Sequence, residues 1–244
     1  RAGAIRPLFE LFDQQLRAKG YLAMGGQIVD ASLVSAPRQR NTRAEKEAIK
    51  AGKTAHQIWP DHPHKAAQKD TDARWTVKIT KPKDQSAARS APELAVPVFG
   101  YKSHIGIDRR FGFIRSFRVT DAARHEGRLL RDLISTNNTA SGVWADTAYR
   151  SQANEAWLAG RGHRSQIHHK KPKGRPMPRP IARANARKST VRARVEHVFA
   201  HQKDRMGLFI RTIGHVRAEA KIGLANLAYN LQRFLFHQRR SRAA

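Results

Sequence analysis

Tyr101-Lys-Ser-His-Ile-Gly-Ile-Asp108 and Phe113-Ile-Arg-Ser-Phe-Arg-Val-Thr120 flank a short connection, Arg109-Arg-Phe-Gly112. Two β-rich runs around a tight, glycine-ended link predict an antiparallel hairpin. Upstream, Gln27-Ile-Val-Asp-Ala-Ser-Leu-Val34 is short and β-branched, bounded by Gly25-Gly26 and Pro37, and reads as a strand. Downstream, Leu129, Leu130, Leu133 and Ile134 suit a helix over 125–134. Gly142-Val-Trp-Ala145 then reads as a buried strand ending at Asp146, Ser151 caps a helix that stops at Gly160, and 164–168 fits one more strand. A hairpin joined to alternating strands and helices predicts an α/β fold with a mixed sheet covered by helices.

The flanks complete the outline. Ile5, Leu8, Phe9, Phe12 and Leu16 repeat at helical spacing before Gly20, predicting a helix over 5–19. Residues 35–98 are polar, rich in Lys, Ala and Pro, and weakly periodic; they read as a long insertion with one helix near 43–51. A Pro-rich basic loop at 170–180 precedes expected helices over 188–206 and 215–236. The expected organisation is an N-terminal helix within 1–24, a main domain over 25–236 carrying the insertion, and a basic tail over 237–244.

Composition narrows the function. With 47 Lys and Arg against 19 Asp and Glu, the formal net charge is +28. Such a surplus is self-repulsive unless a polyanion offsets it, and a phosphate backbone rewards scattered cations by counterion release. The charge is concentrated: the 40 residues between Glu155 and Glu196 hold no acid and twelve Lys or Arg, among them Lys170, Lys171 and Lys173. The absence of cysteine excludes disulfides, thiol catalysis and sulfur-ligated zinc. No apolar run reaches the roughly 18 residues of a membrane span, and the start lacks a signal-peptide apolar region. The expectation is a cytoplasmic, cationic, nucleic-acid-binding protein. The pairs His62/His64 and His168/His169 lack the further ligands a zinc site needs, and no glycine-rich nucleotide loop is present.

In a chain so poor in acids, an Asp inside an apolar strand stands out. Asp30 follows Ile28-Val29 and Asp146 follows Val143-Trp-Ala145. An unpaired carboxylate beside a core is costly, and a bound metal ion supplies a reason for it. Glu196 ends the acid-free stretch; at about 100° per residue, Arg192, Glu196 and Lys203 fall within a stripe roughly 40° wide. Taken singly, each acid reads equally as a strand-end cap or an i,i+4 surface pair. Asp108 competes as the first acid, but its place before Arg109-Arg-Phe-Gly112 suits a hairpin turn.

Together, two strand-borne aspartates and a helix-borne glutamate in this order resemble the DDE transposases of bacterial insertion sequences, of the IS-five type. The resemblance rests on Gly26-Gln-Ile-Val-Asp30, Ala36-Pro-Arg-Gln-Arg-Asn41, Lys69-Asp-Thr-Asp-Ala-Arg-Trp75, Tyr101 to Asp108, Val119-Thr-Asp-Ala122, Val143-Trp-Ala-Asp146-Thr-Ala-Tyr-Arg-Ser151 and Val191-Arg-Ala-Arg-Val-Glu196-His-Val-Phe199. It implies an RNase H-like fold, two Mg²⁺ or Mn²⁺ ions, and cleavage and joining of strands at transposon ends. Carried over by position, Asp30, Asp146 and Glu196 are the catalytic, metal-holding triad. A signature of the related group, Tyr-x2-Arg-x3-Glu-x6-Lys, matches at Arg192, Glu196 and Lys203, with Ser189 in the tyrosine position. Arg150, Lys170, Lys171, Lys173, Arg192 and Lys203 are then expected to hold double-stranded DNA, as transposon ends and target. Trp75 reads either as a stacking platform or as packing within the insertion.

A reaction at two ends makes a homodimer the expected assembly, and the bacterial nucleoid the expected place. The chain opens at Arg1 with one helix before Asp30, where family members carry a helical end-recognising domain, so a C-terminal catalytic portion is expected. The rival readings are an inactive basic DNA-binding remnant of a transposase and an RNase H-like nuclease.

Overall fold

The computed structural model describes residues 2–80 and 94–242. Helix α1 (Ile5–Ala18) buries Ile5, Phe9, Asp13 and Leu16, a stripe at helical spacing. Strand β1 (Gln27–Ser35) follows. Gly26, at φ +91°, lets β1 start flush against its neighbour: a Cβ there would meet the Trp144 ring and the Gly142 carbonyl oxygen at 2.5 and 2.6 Å. Three helices come next, α2 (Arg43–Lys50), α3 (Ala55–Ile58) and α4 (Pro63–Gln68). Thr42 and Glu45 form a reciprocal capping box on α2, and Ile49, Trp59 and Ala66 give this segment its own small core.

Strands β2 (Arg74–Thr80), β3 (Leu94–Asp108), β4 (Ile114–Asp121), β5 (Gly142–Trp144) and β6 (Arg164–Ser165) complete one six-stranded sheet with β1. The long β3 has two partners along one edge. Its first half pairs antiparallel with β2, and Tyr101–Ile107 pairs antiparallel with β4. The other edge of β3 runs antiparallel to β1, β1 runs parallel to β5, and β5 parallel to β6. A mixed sheet of this order, flanked by helices, is the RNase H-like arrangement expected from the sequence.

Residues alternate across the sheet. Ile28 and Val34 face one core with α1 and the two C-terminal helices, α7 (Arg179–Ala200) and α8 (His215–Arg242); Val29 faces a second core with α5 (Leu130–Leu133) and α6 (Gln152–Gly160). In the hairpin turn, Asp108 is fully buried and accepts the amides of Phe111, Gly112 and Phe113 at 2.6, 3.4 and 3.1 Å, plus Arg115 Nε at 3.0 Å. Its oxygens are engaged by the turn, as the hairpin reading of that residue anticipates.

Several boundaries differ from the sequence reading. Part of the expected 35–98 insertion belongs to the sheet, because β2 and the first half of β3 form a paired ribbon; residues 81–93 of it lie outside the described residues. That ribbon carries Val77 and Ile79 largely exposed, so no core-facing pattern marks it. Helix α7 begins at Arg179 rather than near 188, with Pro180 in its first turn. Its buried residues are Val195, Val198 and Phe199, so the first half has no apolar stripe to betray it. It gives way at His201–Arg205 to a wide π-turn. Helix α8 continues to Arg242 through the expected basic tail, whose last two residues lie outside the described set. Trp75 is partly exposed, its ring 5.3 Å from Phe99 across the ribbon.

Candidate functional site

The pairing of β1 with β5 covers only Gln27–Ile28 against Val143–Trp144, while β1 runs on to Ser35. Asp30 therefore stands where the neighbouring strand has already turned away, and Asp146 begins that departure. Asp146 caps the 3₁₀ turn Thr147–Tyr149, its Oδ1 accepting the Ala148 amide at 2.8 Å. Asp30 is buried, and its Oδ1 accepts the Ala31 amide at 2.8 Å. Burial pushes the Asp30 carboxyl up to about 7. The Arg192 guanidinium and the Ala31 amide oppose that shift, while Asp146 and Glu126 add to it.

Helix α7 lays Arg192 and Glu196 over this gap. Arg192 Nη1 donates to Asp30 Oδ2 at 2.6 Å, and its Nη2 donates to Glu196 Oε1. Arg192 Nε is buried with no partner among the described residues. One guanidinium thus links the strand acid to the helix acid, and Glu196 keeps the more open side, its side chain 54% exposed. Among the described residues no group of three or more His, Asp or Glu is gathered closely enough to hold a metal ion as the side chains stand. In kind, the donors suit a hard divalent cation: carboxylate oxygens, one deeply desolvated, with Asp146 raising the proton affinity of Asp30. The arginine is the positive charge that bridges Asp30 and Glu196 in this arrangement.

The basic residues separate into two groups. Lys203, in the π-turn after α7, donates to Ser32 Oγ at 2.5 Å, two residues along β1 from Asp30. Its pKa is lowered by burial and then by Lys78. On the other side, Arg150 and Lys170 line a cleft with Arg128 and Arg131. Arg150 also donates to the Ile167 carbonyl at 2.9 Å and lies 3.6 Å from Glu155, so it braces the segment after β6 as well as facing the cleft. Lys170, Lys171 and Lys173 all stand exposed along the loop. Ser189, in the tyrosine position of the signature, is exposed, with its Oγ 3.5 Å from His168 Nε2.

Three residues to which the sequence assigns no role belong to these surroundings. Past β6, the amides of Gln166 and His168 donate to the Val143 and Ala145 carbonyls at 2.8 and 3.1 Å, carrying His168 to the end of β5. Burial and then Arg192 lower its pKa, while Asp146 and Glu196 oppose them. Glu126 opens the turn before α5 and pairs with Lys102 Nζ at 3.1 Å. Tyr149 is fully buried beside the acids. Tyr149 follows Asp146 by three residues in the Val143–Ser151 segment, a proximity visible in the sequence; no local pattern marks the other two.

An acid with a raised folded-state pKa binds its proton more tightly folded than unfolded. The Asp30 contribution to stability is therefore complete below about pH 4 and is lost as pH rises through about 7. Asp30→Asn should flatten the stability profile over that window, removing a slope of up to about 1.4 kcal/mol per pH unit. Urea midpoints at successive pH values measure it; superimposable profiles would mean that Asp30 is already ionised at pH 5.

No described helix is long and apolar enough to cross a membrane. Residues 22–231 match the transposase DDE domain family. The transposase for insertion sequence element IS1106 of Neisseria meningitidis serogroup B is 26% identical over 228 residues, a span covering 92% of this chain and 70% of that protein. The matched family region contains the whole sheet and the strand-end and helix acids described above; this chain belongs to the transposase DDE domain family.

Proposed function

We propose that the chain cleaves DNA strands at transposon ends and joins them to a target, in a reaction dependent on Mg²⁺ or Mn²⁺. The observation that carries this reading is that Asp30, inside β1 just past its pairing with β5, lies beside Asp146, just past the end of β5, with Glu196 linked to Asp30 through one shared arginine. Asp30, Asp146 and Glu196 are the residues that would hold the cations. Such ions, held there, would supply Lewis acidity to an attacking water or 3′-hydroxyl and charge stabilisation to the leaving oxygen.

The remaining work falls to the protein. The capped turn at Asp146 fixes that carboxylate before DNA arrives, whereas Asp30 and Glu196 are both held by Arg192 until it moves. Arg192 and Lys203 stand on the Asp30 side, where a backbone phosphate can draw them. Transfer of Arg192 to phosphate frees Asp30 and Glu196 at the moment that the scissile strand is in place. Arg150, Lys170, Lys171 and Lys173 extend the phosphate track on the other flank; their contacts position the duplex without reading sequence. Two ends reacting together call for two copies of the chain.

Cleavage of an end-labelled duplex with and without Mn²⁺ tests the chemistry: metal-dependent nicking supports it, and duplex binding without nicking, with or without Mn²⁺, supports the inactive-remnant reading. Replacing Lys170, Lys171 and Lys173 together by Ala should flatten the dependence of log affinity on log salt by about 0.9 for each phosphate that the loop no longer neutralises. Fluorescence anisotropy across a salt series reads that slope, and an unchanged slope removes the loop from the interface.

A further inference from the structure

Tyr149 is a buried polar side chain that the proposed chemistry leaves unused. Its ring packs with Val143, Ala145, Leu158 and Ile167 in the core beneath α5 and α6 and is fully buried. A phenylalanine would fill that space equally well. Yet the chain carries a hydroxyl there, and it has no hydrogen-bond partner among the described residues. A buried hydroxyl without a partner lowers stability, so its presence calls for an acceptor that arrives in another state of the site.

The surroundings limit what that acceptor is. The turn bearing Tyr149 starts from the Asp146 cap. Asn154 Nδ2 donates at 2.8 Å to the carbonyls of both Tyr149 and Gly127, clamping this turn to the one that opens with Glu126. There is no slack at the junction: a Cβ on Gly127 would meet the Ala148 carbonyl oxygen at 2.5 Å. Burial, and then the charges of Asp30, Glu126 and Asp146, keep the phenol protonated well above its ordinary range. A neutral phenol in the field of these carboxylates, three residues along the turn from Asp146, is a donor. Glu126 is already paired with Lys102, and Asp30 Oδ2 is held by Arg192.

We infer that the Tyr149 hydroxyl is a positioning donor for the Asp30–Asp146 pair, taking up a carboxylate oxygen when Arg192 moves to phosphate and holding that side chain in one orientation for cation binding. Tyr149 acts through the carboxylates rather than on DNA, as partners behind metal ligands do. This inference rests on the proposed metal-dependent reading, and its test separates the two.

The experiment compares the unmodified chain, Tyr149→Phe and Asp30→Asn by thermal unfolding across a Mn²⁺ series in the presence of a DNA duplex, alongside the rate of duplex cleavage. The expected result is a Tyr149→Phe chain as stable as the unmodified one, or more so, without metal, whose half-maximal Mn²⁺ stabilisation needs about tenfold more metal and whose cleavage falls in step. A Phe variant with unmodified midpoint and rate overturns the inference and leaves Tyr149 as packing. So does a Phe variant destabilised without metal, which would mean that the hydroxyl already has its partner. If the unmodified chain itself gains nothing from Mn²⁺ and cuts nothing, the metal-dependent reading falls and this inference with it. Asp30→Asn marks the response of a site that has lost a ligand.

Discussion

Asp146→Asn abolishes Mn²⁺-dependent cleavage of duplex DNA, with a loss on the order of 10³-fold or more, while the affinity for the duplex stays the same or rises. The substitution keeps the shape of the side chain and its acceptor oxygen, so the cap on the Ala148 amide survives and the turn stays folded. What it removes is one negative charge at the strand end, next to Asp30. With less negative charge facing the phosphates, DNA binding loses nothing. Cleavage rates and anisotropy on the same preparation measure both halves. Full metal-dependent cleavage by the variant would take Asp146 out of the centre and the proposed chemistry with it.

Arg115→Met lowers the unfolding free energy by about 3–5 kcal/mol, because it strips the counter-ion from the fully buried Asp108 and leaves Asp13 with Arg17 alone. Arg115 is nearly inaccessible; it meets Asp13 Oδ1 of α1 at 2.6 Å through Nη1 and Asp108 Oδ2 of the hairpin turn at 3.0 Å through Nε, and donates to the Tyr21 carbonyl at 2.7 Å. This network ties the first helix to the central hairpin, and Asp108 has no exposure through which water could compensate it. For a chain of this size the loss corresponds to a fall in Tm on the order of 10 °C. Adding Asp108→Asn should recover part of it, since the uncompensated charge is then gone while an amide-accepting oxygen remains. A single variant within about 1 kcal/mol of the unmodified chain, judged by urea midpoints, would show that the pair adds little beyond its own desolvation.

The three acids stand out in the sequence because acids are scarce here. Asp30 and Asp146 interrupt apolar strand sequences, and Glu196 ends a long acid-free stretch, so local contrast found them. The same contrast did not find Glu126, which sits among ordinary polar residues and reaches the centre through the packing of two turns. Nor did it show that Arg192 bridges Asp30 and Glu196, a link that spans 162 residues of chain between Asp30 and the arginine. The ribbon of β2 and early β3 was hidden for another reason. Its outward Val77 and Ile79 face no core, and a strand that packs on nothing leaves no burial pattern to read.

Hydrophobic period, turn chemistry and charge are properties of neighbouring residues, and they alone determined the hairpin, the central strands, the order of elements and the cationic character. Which side chains meet is a matter of strand register and helix placement. β1 outruns β5, which leaves Asp30 uncovered at the gap where Asp146 turns away; α7 then crosses that gap and brings Arg192 down between Asp30 and Glu196. Those facts join residues far apart in the chain, and only the folded arrangement, in which each buried charge must find a partner, decided them.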